Sequence, residues 1–345
     1  MKNKEFGSDF NFPDLNKWGN KSLANTFTNK LSLYLSGRVA LHSLLEYGIK
    51  QFNWKRVYLP SYYCYDVTNF LEGLNIEIII YNYNPFLNSN LNFSEIKNTA
   101  TTVFVKVNYF GIEELILPKK NNMIVIEDLS HNISSIKDSQ ADYVFGSLRK
   151  ELPIPVGGFL YSNEKGLPFG SENSIAELIS EEKENAMKLK AAYLNSEIKE
   201  KGYFRELFVQ SEEKLVNKKT EYSKLPQNAL KTLKSLNVEE ILEAKKRNLK
   251  VALNELINIK NVTVNNNRNK GFGLLLFFAD NIKRESVRIR LIKNKIYPSV
   301  LWPEQKNKID IDVQSRILFI HVDFRYNLED IKQITKVIKE SIINV

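Results

Sequence analysis

The 345-residue chain is poor in the residues that staple small proteins or bind metals. It has one cysteine, Cys64, and three histidines, so no intramolecular disulfide can form and no zinc-ligand spacing occurs. A lone thiol fits a reducing, cytoplasmic setting. Long apolar runs are missing too. None reaches the roughly 18 uninterrupted residues of a spanning helix, and the opening MKNKEFGSDFNFPDLNKWGN has no apolar segment of the signal-peptide kind. A soluble, unsecreted protein without metal is expected, and no internal repeat points elsewhere.

What the chain does have is enough apolar residue, 43%, for a large domain and a smaller one with buried cores. Its formal charge of +9 comes from lysines interspersed with glutamates, as in EEKENAMKLK and EILEAKKRNLK. Such segments read as solvated helix faces rather than a nucleic-acid footprint, and a mild basic excess suits any anionic ligand.

Short β-type runs alternate with helical spacing along the first half. RVALHSLLEYGIKQF (38–52) is a helix beginning after Ser36-Gly37, KRVYLPS (55–61) a strand stopped by Pro60, and DVTNFLEGLN (66–75) a helix. EIIIYNY (77–83), TTVFVKVNYFG (101–111), MIVIEDLSH (123–131), DYVFGS (142–147) and GGFLYS (157–162) read as further strands. Strands separated by helices imply right-handed crossovers and a mostly parallel sheet. Ligands of such sheets collect beyond the carboxyl ends of the strands, which brings SHN, GSLRK and PSYYCY into one neighbourhood.

Residues from about 170 to 235 read as charged outer helices of the large domain. VEEILEAKKRNLKVALNELINI (238–259) is a long amphipathic helix, and the remainder, with GLLLFFAD, VRIRLIKNKI, RILFIHVDF and LEDIKQITKVIKESI, forms an α+β unit. NVTVNNNRNKG (261–271) is a polar loop without chemistry. The expected organisation is an N-terminal arm (1–30), an α/β large domain (31–236) and a smaller C-terminal α+β domain (237–345).

The parts SGRVALHSLL, VYLPSYYCYDVTNFLEG, VNYFG, VIEDLSHN and FGSLRKELPIPVGGFLYS, in that order, resemble the DegT-type nucleotide-sugar aminotransferases over about residues 30–345. These enzymes use pyridoxal 5′-phosphate (PLP) and have the aspartate-aminotransferase fold. The resemblance implies that Lys150 is the lysine that bonds to PLP, a role needing an amine kept partly neutral. Arg149 would help by like-charge repulsion, or else point the opposite way. Asp128 matches the aspartate paired with the pyridine nitrogen, and His131 the residue beside the ring near its phenolic oxygen.

SGRVAL matches the turn that receives the cofactor phosphate at a helix start, with Ser36, Gly37 and Arg38 as its residues. Arg38 replaces the usual threonine and either adds a charge-assisted contact or points outward. Ser147 stands three residues before the lysine, a departure from the position that the sugar enzymes more often use. For the ring that stacks on PLP the candidates are Tyr62, Tyr63 and Tyr65, with Tyr63 chosen, although strict alignment selects Cys64. Other departures are Asn108 in place of a histidine, Val156 before Gly157-Gly158, and the absence from 201–230 of the family's partner-reaching motif.

YPSVLWP (297–303) and HVDFRY (321–326) occupy the places where the resembled family closes over its substrate, which implies Trp302 and Arg325 as substrate residues. Arg325 pairs either with a donor carboxylate or with Asp323. The implied activity is ping-pong transfer of an amino group from glutamate, or a similar donor, to a keto sugar, nucleotide-linked and destined for polysaccharide or amino-sugar products, by a cytoplasmic homodimer. The alternatives are another PLP reaction on a non-sugar substrate, or a binding protein that keeps the fold without turnover. No nucleic-acid or membrane partner is expected.

Overall fold

The computed structural model describes residues 4–20, 27–28, 30–87, 91–112, 115–117, 122–264 and 271–343. Chain order begins with the short strand β1 (Phe6–Gly7), helix α1 (Leu15–Trp18), strand β2 (Ser32–Tyr34) and helix α2 (Gly37–Phe52). There follow β3 (Arg56–Pro60), α3 (Tyr65–Phe70), β4 (Glu77–Tyr81), β5 (Thr102–Val107), β6 (Ile124–Asp128), β7 (Tyr143–Ser147) and β8 (Gly158–Tyr161). Three helices come next, α4 (Ser174–Leu194), α5 (Gly202–Leu215) and α6 (Gln227–Ser235), then α7 (Val238–Glu255). The last part holds β9 (Val262–Val264), β10 (Leu274–Phe278), α8 (Asn281–Lys293), β11 (Ile296–Tyr297), α9 (Lys308–Arg316), β12 (Ile317–Ile320) and α10 (Leu328–Ile343). The segment 261–271, expected to be a polar loop, instead supplies β9, which pairs antiparallel with β10, and its residues 265–270 lie outside the described residues.

The main sheet has the order β2-β8-β7-β6-β5-β3-β4. Strands β4, β3, β5, β6 and β7 run parallel, as the alternating pattern predicts. β8 runs antiparallel to β7, and β2 antiparallel to β8. The reason lies in the connection: Leu148–Gly157, with a single 3₁₀ turn at Leu148–Lys150, is shorter than the dozen or so residues that a parallel crossover needs. Between β3 and β5 the strand order changes direction, and a crevice opens at the carboxyl ends there, where α/β sheets bind ligands.

Packing draws the domain boundary differently from composition. Val238, Ile241 and Ala244 on the first half of α7 belong to the large core, whereas Leu249, Ala252 and Leu253 on the second half belong to the small one. One continuous helix therefore spans both units, and no linker at 237 separates them. The N-terminal arm is not independent either. β1 pairs in parallel with β11, and Phe6 is buried in the small core. The antiparallel sheet β12-β10-β9 completes that unit.

Two glycines set the place of the α2 N-terminus. A Cβ on Gly158 would lie 2.1 Å from the Ser36 carbonyl carbon and 2.4 Å from the Gly37 nitrogen. Gly37 is in turn pressed against Gly146, 3.0 Å from where its own Cβ would be. The start of α2 thus sits against the ends of β7 and β8 because no side chain intervenes. Both obstructions at Gly158 are backbone, so neither can swing aside. Gly158→Ala is expected to destabilise the fold by at least about 1–3 kcal/mol, measured by urea unfolding; an unchanged midpoint would show that the contact can relax.

Candidate functional site

Beyond the carboxyl ends of β6 and β7 lies a cavity of about 390 Å³, and Asp128, His131, Lys150, Tyr63, Trp302 and Arg38 are among its lining residues. Asp128 closes β6 and is buried. Its Oδ2 accepts the Tyr63 hydroxyl at 2.6 Å and its Oδ1 accepts the Ser130 N–H at 2.8 Å. Burial, and next the Asp128 charge, push the Tyr63 hydroxyl well above its ordinary range, so it stays protonated and donates. Ser130 also accepts the Ser147 N–H at 3.1 Å, which ties the end of β7 to the loop after β6.

His131 is buried in an aromatic stack. Its ring lies 4.3 Å from Phe272, 5.0 Å from Phe110 and 5.4 Å from Trp302, within 20° of parallel to each. Burial, with Lys150 and Lys245 nearby, holds the imidazole well below its usual value. It is neutral at pH 7, and its Nε2 stands 3.3 Å from the Lys150 amine. Lys150 ends the 3₁₀ turn after β7. Burial lowers its amine below the ordinary lysine range; Cys64 and Asp128 oppose that shift, while Arg149 and Arg38 add to it.

Glu151 was not legible as a site residue. Its buried carboxylate accepts the Ile133 N–H at 2.7 Å and pairs with Lys245 of α7. One side chain therefore anchors the turn that carries Lys150 and the loop that carries His131, and links both to the helix shared by the two cores. Removing one partner of such a buried pair leaves an uncompensated charge, commonly worth about 3–5 kcal/mol.

The residues of the Ser36-Gly37-Arg38 turn and Ser147 line the same cavity. Ser36 caps α2, its Oγ accepting the Val39 N–H at 3.3 Å, and Gly37 and Arg38 form the first turn beside Ser147 at the cavity wall. The Ser147 hydroxyl makes one long bond, 3.5 Å to the Gly157 carbonyl. Among the tyrosines, Tyr62 donates to the Leu301 carbonyl at 2.7 Å and packs on Trp302, and Tyr65 lies under Lys306. Tyr63 and Cys64 line the cavity, with Tyr63 engaged on Asp128 by its hydroxyl.

Of the two expected substrate residues, Trp302 lies in the cavity, 5.9 Å from the Lys150 amine across its ring. Arg325 takes the other course open to it. Its Nε and Nη2 grip both oxygens of Asp323 at 2.9 and 2.8 Å, and its Nη1 donates to the carbonyls of Gly7, Ser8 and Asp9. With its donors engaged this way it clasps the N-terminal arm, and a donor carboxylate would have to displace Asp323. The neighbouring His321, which sequence reasoning passed over, does line the cavity, with Nδ1 3.5 Å from Asp323.

Among the described residues no cluster of His, Cys, Asp or Glu could hold a metal ion, and no helix is long and apolar enough to cross a membrane.

No family model matches the chain, and no curated protein matches it. Solved structures do. PseC of Helicobacter pylori, an aminotransferase of pseudoaminic acid biosynthesis, is 14% identical, with 99% of this chain and 100% of that one covered and a TM-score of 0.63. The sugar aminotransferase CalS13 of Micromonospora echinospora is 14% identical over 99% and 100%, with a TM-score of 0.56. A DegT DnrJ EryC1 StrS aminotransferase of Brucella abortus is 12% identical over 94% and 91%, with a TM-score of 0.55. The chain therefore shares the fold of these aminotransferases along nearly its whole length, and the expected fold class is correct.

The neutral state of His131 has a measurable consequence. The folded chain keeps it unprotonated, while the unfolded chain takes up its proton below about pH 6.5. The unfolded state then binds more protons, so stability falls as pH drops through 6.5 toward the depressed folded value, by about 1.4 kcal/mol per pH unit for this group. Urea unfolding between pH 7 and 5.5 should show that slope reduced by about this amount in His131→Gln; an unchanged slope would mean that His131 is protonated in the fold.

Proposed function

We propose that the protein is a PLP-dependent aminotransferase that moves an amino group from glutamate or a similar donor to a keto sugar, nucleotide-linked and used in polysaccharide or amino-sugar synthesis. The observation that carries this reading is the placing of Asp128, His131 and Lys150 around one cavity of this fold, with the lysine amine pushed toward its neutral form.

The residues fit the cofactor. Buried N–H groups on Arg38 and Arg149 have no acceptor among the described residues, which suits an anionic group at the start of α2. Ser36, Gly37, Arg38 and Ser147 would hold the phosphate, Asp128 the ring nitrogen, His131 the ring edge, and Lys150 the aldehyde carbon. Bound there, PLP supplies an electron sink for the charge left at an amino acid's α-carbon when its proton departs.

The protein's own part is to fix charges and move that proton. Asp128 holds a negative charge where the ring nitrogen would sit, and Tyr63 and Ser130 prevent it from rotating. The depressed Lys150 amine has a larger free-base fraction at neutral pH than an ordinary lysine, which lets it take the α-proton and return it. Neutral His131 can offer one hydrogen bond and accept another. Trp302, Phe272 and Phe110 pack on the His131 ring, and the low dielectric of that stack strengthens its hydrogen bonds.

The sugar acceptor is supported by the DegT-type resemblance and by what the similar structures are called; the fold alone does not select it. A homodimer is supported by the DegT-type resemblance alone. The single cysteine supports the cytoplasm.

Purified protein mixed with PLP should give a visible absorbance band that bleaches with glutamate. Borohydride added to the PLP-loaded protein before glutamate, followed by peptide mass spectrometry, should place a pyridoxyl group on Lys150. Lys150→Ala should lower amino transfer by at least about 10²–10⁴-fold. A pyridoxyl group elsewhere, or none, would overturn the reading.

A further inference from the structure

The first turn of α2 faces more positive charge than is paired there. Arg149 donates through Nη2 to Glu212 of α5 at 2.8 Å, and Lys183 of α4 grips the same carboxylate. Burial would raise the Glu212 carboxyl, but Arg149, Lys183 and Arg38 around it bring it down to about 2. Arg38, with its side chain only 10% exposed, reaches no closer than 3.8 Å to Asp66, whose side chain is 54% exposed. Buried Lys183 and half-buried Arg149 thus share one carboxylate that is itself 37% exposed, with Arg38 on the same cavity wall. Each arginine is also left with an inward N–H that has no acceptor among the described residues, Nη1 on Arg38 and Nε on Arg149. Buried donors ordinarily find acceptors, so two of them beside a cavity and a helix N-terminus mark a place for an anion.

We propose that Arg38, Arg149, Lys183 and Glu212 form a cage for a phosphate monoester dianion. Arg38 Nη1 and Arg149 Nε donate to it, and Glu212 is a built-in counter-ion that holds Arg149 and Lys183 in position. The excess of two positive charges matches the dianion's two negative ones. Glu212 keeps three cations from repelling one another when the anion is absent, yet it engages only one edge of Arg149 and leaves Nε for the ligand. The inference rests on the PLP reading in taking the phosphate to be the cofactor's. It adds Arg149, Lys183 and Glu212 to the residues that hold it.

The test is equilibrium binding of three probes to the full chain at pH 8: PLP, pyridoxal, which lacks the phosphate, and inorganic phosphate. Arg149→Gln should weaken PLP and phosphate by about 10- to 100-fold and pyridoxal by less than about 2-fold. Arg149→Lys, which keeps the charge and loses the fork, should fall between. Unchanged PLP affinity in Arg149→Gln, or equal weakening of PLP and pyridoxal, would overturn the cage while leaving the cofactor reading in place. Arg149-dependent phosphate binding with no binding of PLP or pyridoxal would do the reverse, and binding of no probe would overturn both. If Arg149→Gln does not fold, wild-type protein decides. A phosphate monoester loses its second negative charge below about pH 6, so PLP affinity should fall more than pyridoxal affinity between pH 7.5 and 5.5; an equal fall would overturn the cage.

Discussion

The bond from the Tyr63 hydroxyl to Asp128 joins the end of β3 to the end of β6 across the crevice where the strand order turns. A buried carboxylate with a free rotor would be costly and poorly aimed. With Ser130 on its other oxygen, Asp128 is fixed at both, and the same loop places His131 within reach of Lys150. Ser130 then takes the Ser147 N–H, and the turn after Ser147 carries the lysine. The ring nitrogen, the ring edge and the aldehyde carbon of PLP would therefore be addressed by one connected set of side chains.

The surrounding charges act by exclusion of water as much as by sign. Lys150 is depressed first by burial and only then by its neighbours, and the same is true of His131. Electrostatic effects in such a site are larger than in water, for harm as well as for use. Glu151 and Glu212 answer that hazard in the same way. Each is a buried or partly buried carboxylate that keeps a cation in place, Lys245 in one case and Arg149 with Lys183 in the other. Lys245 comes from α7, which belongs to both cores, so the lysine turn is also tied to the helix that any movement between the domains must pass through.

Much of this was legible in the sequence where the signal was local. Apolar runs ending in polar residues marked β3, β5, β6 and β7, and Ser36-Gly37 marked the start of α2. Asp128, His131 and Lys150 stood at strand ends, where a parallel sheet binds its ligands. The antiparallel course of β8 depends on a connection too short for a crossover, and the strand-helix alternation read elsewhere in the chain does not show that. The division at 237 followed a change of composition, whereas packing continues along α7. Glu151 with Lys245, and Arg149 with Glu212, are 94 and 63 residues apart, and nothing in either local pattern marks them. Arg325 had two courses open in the sequence; the structure engages it with Asp323, two residues away, and with the carbonyls of an arm that enters from the other end of the chain.

The central claim is that Asp128 holds its charge against the ring nitrogen of PLP, and nitrogen-15 NMR of the protein loaded with ring-labelled PLP tests it most directly. The account predicts a ring nitrogen resonance in the protonated range, shifted to the unprotonated range in Asp128→Asn. An unprotonated nitrogen in the wild-type protein, or the same protonation state in both, would contradict it.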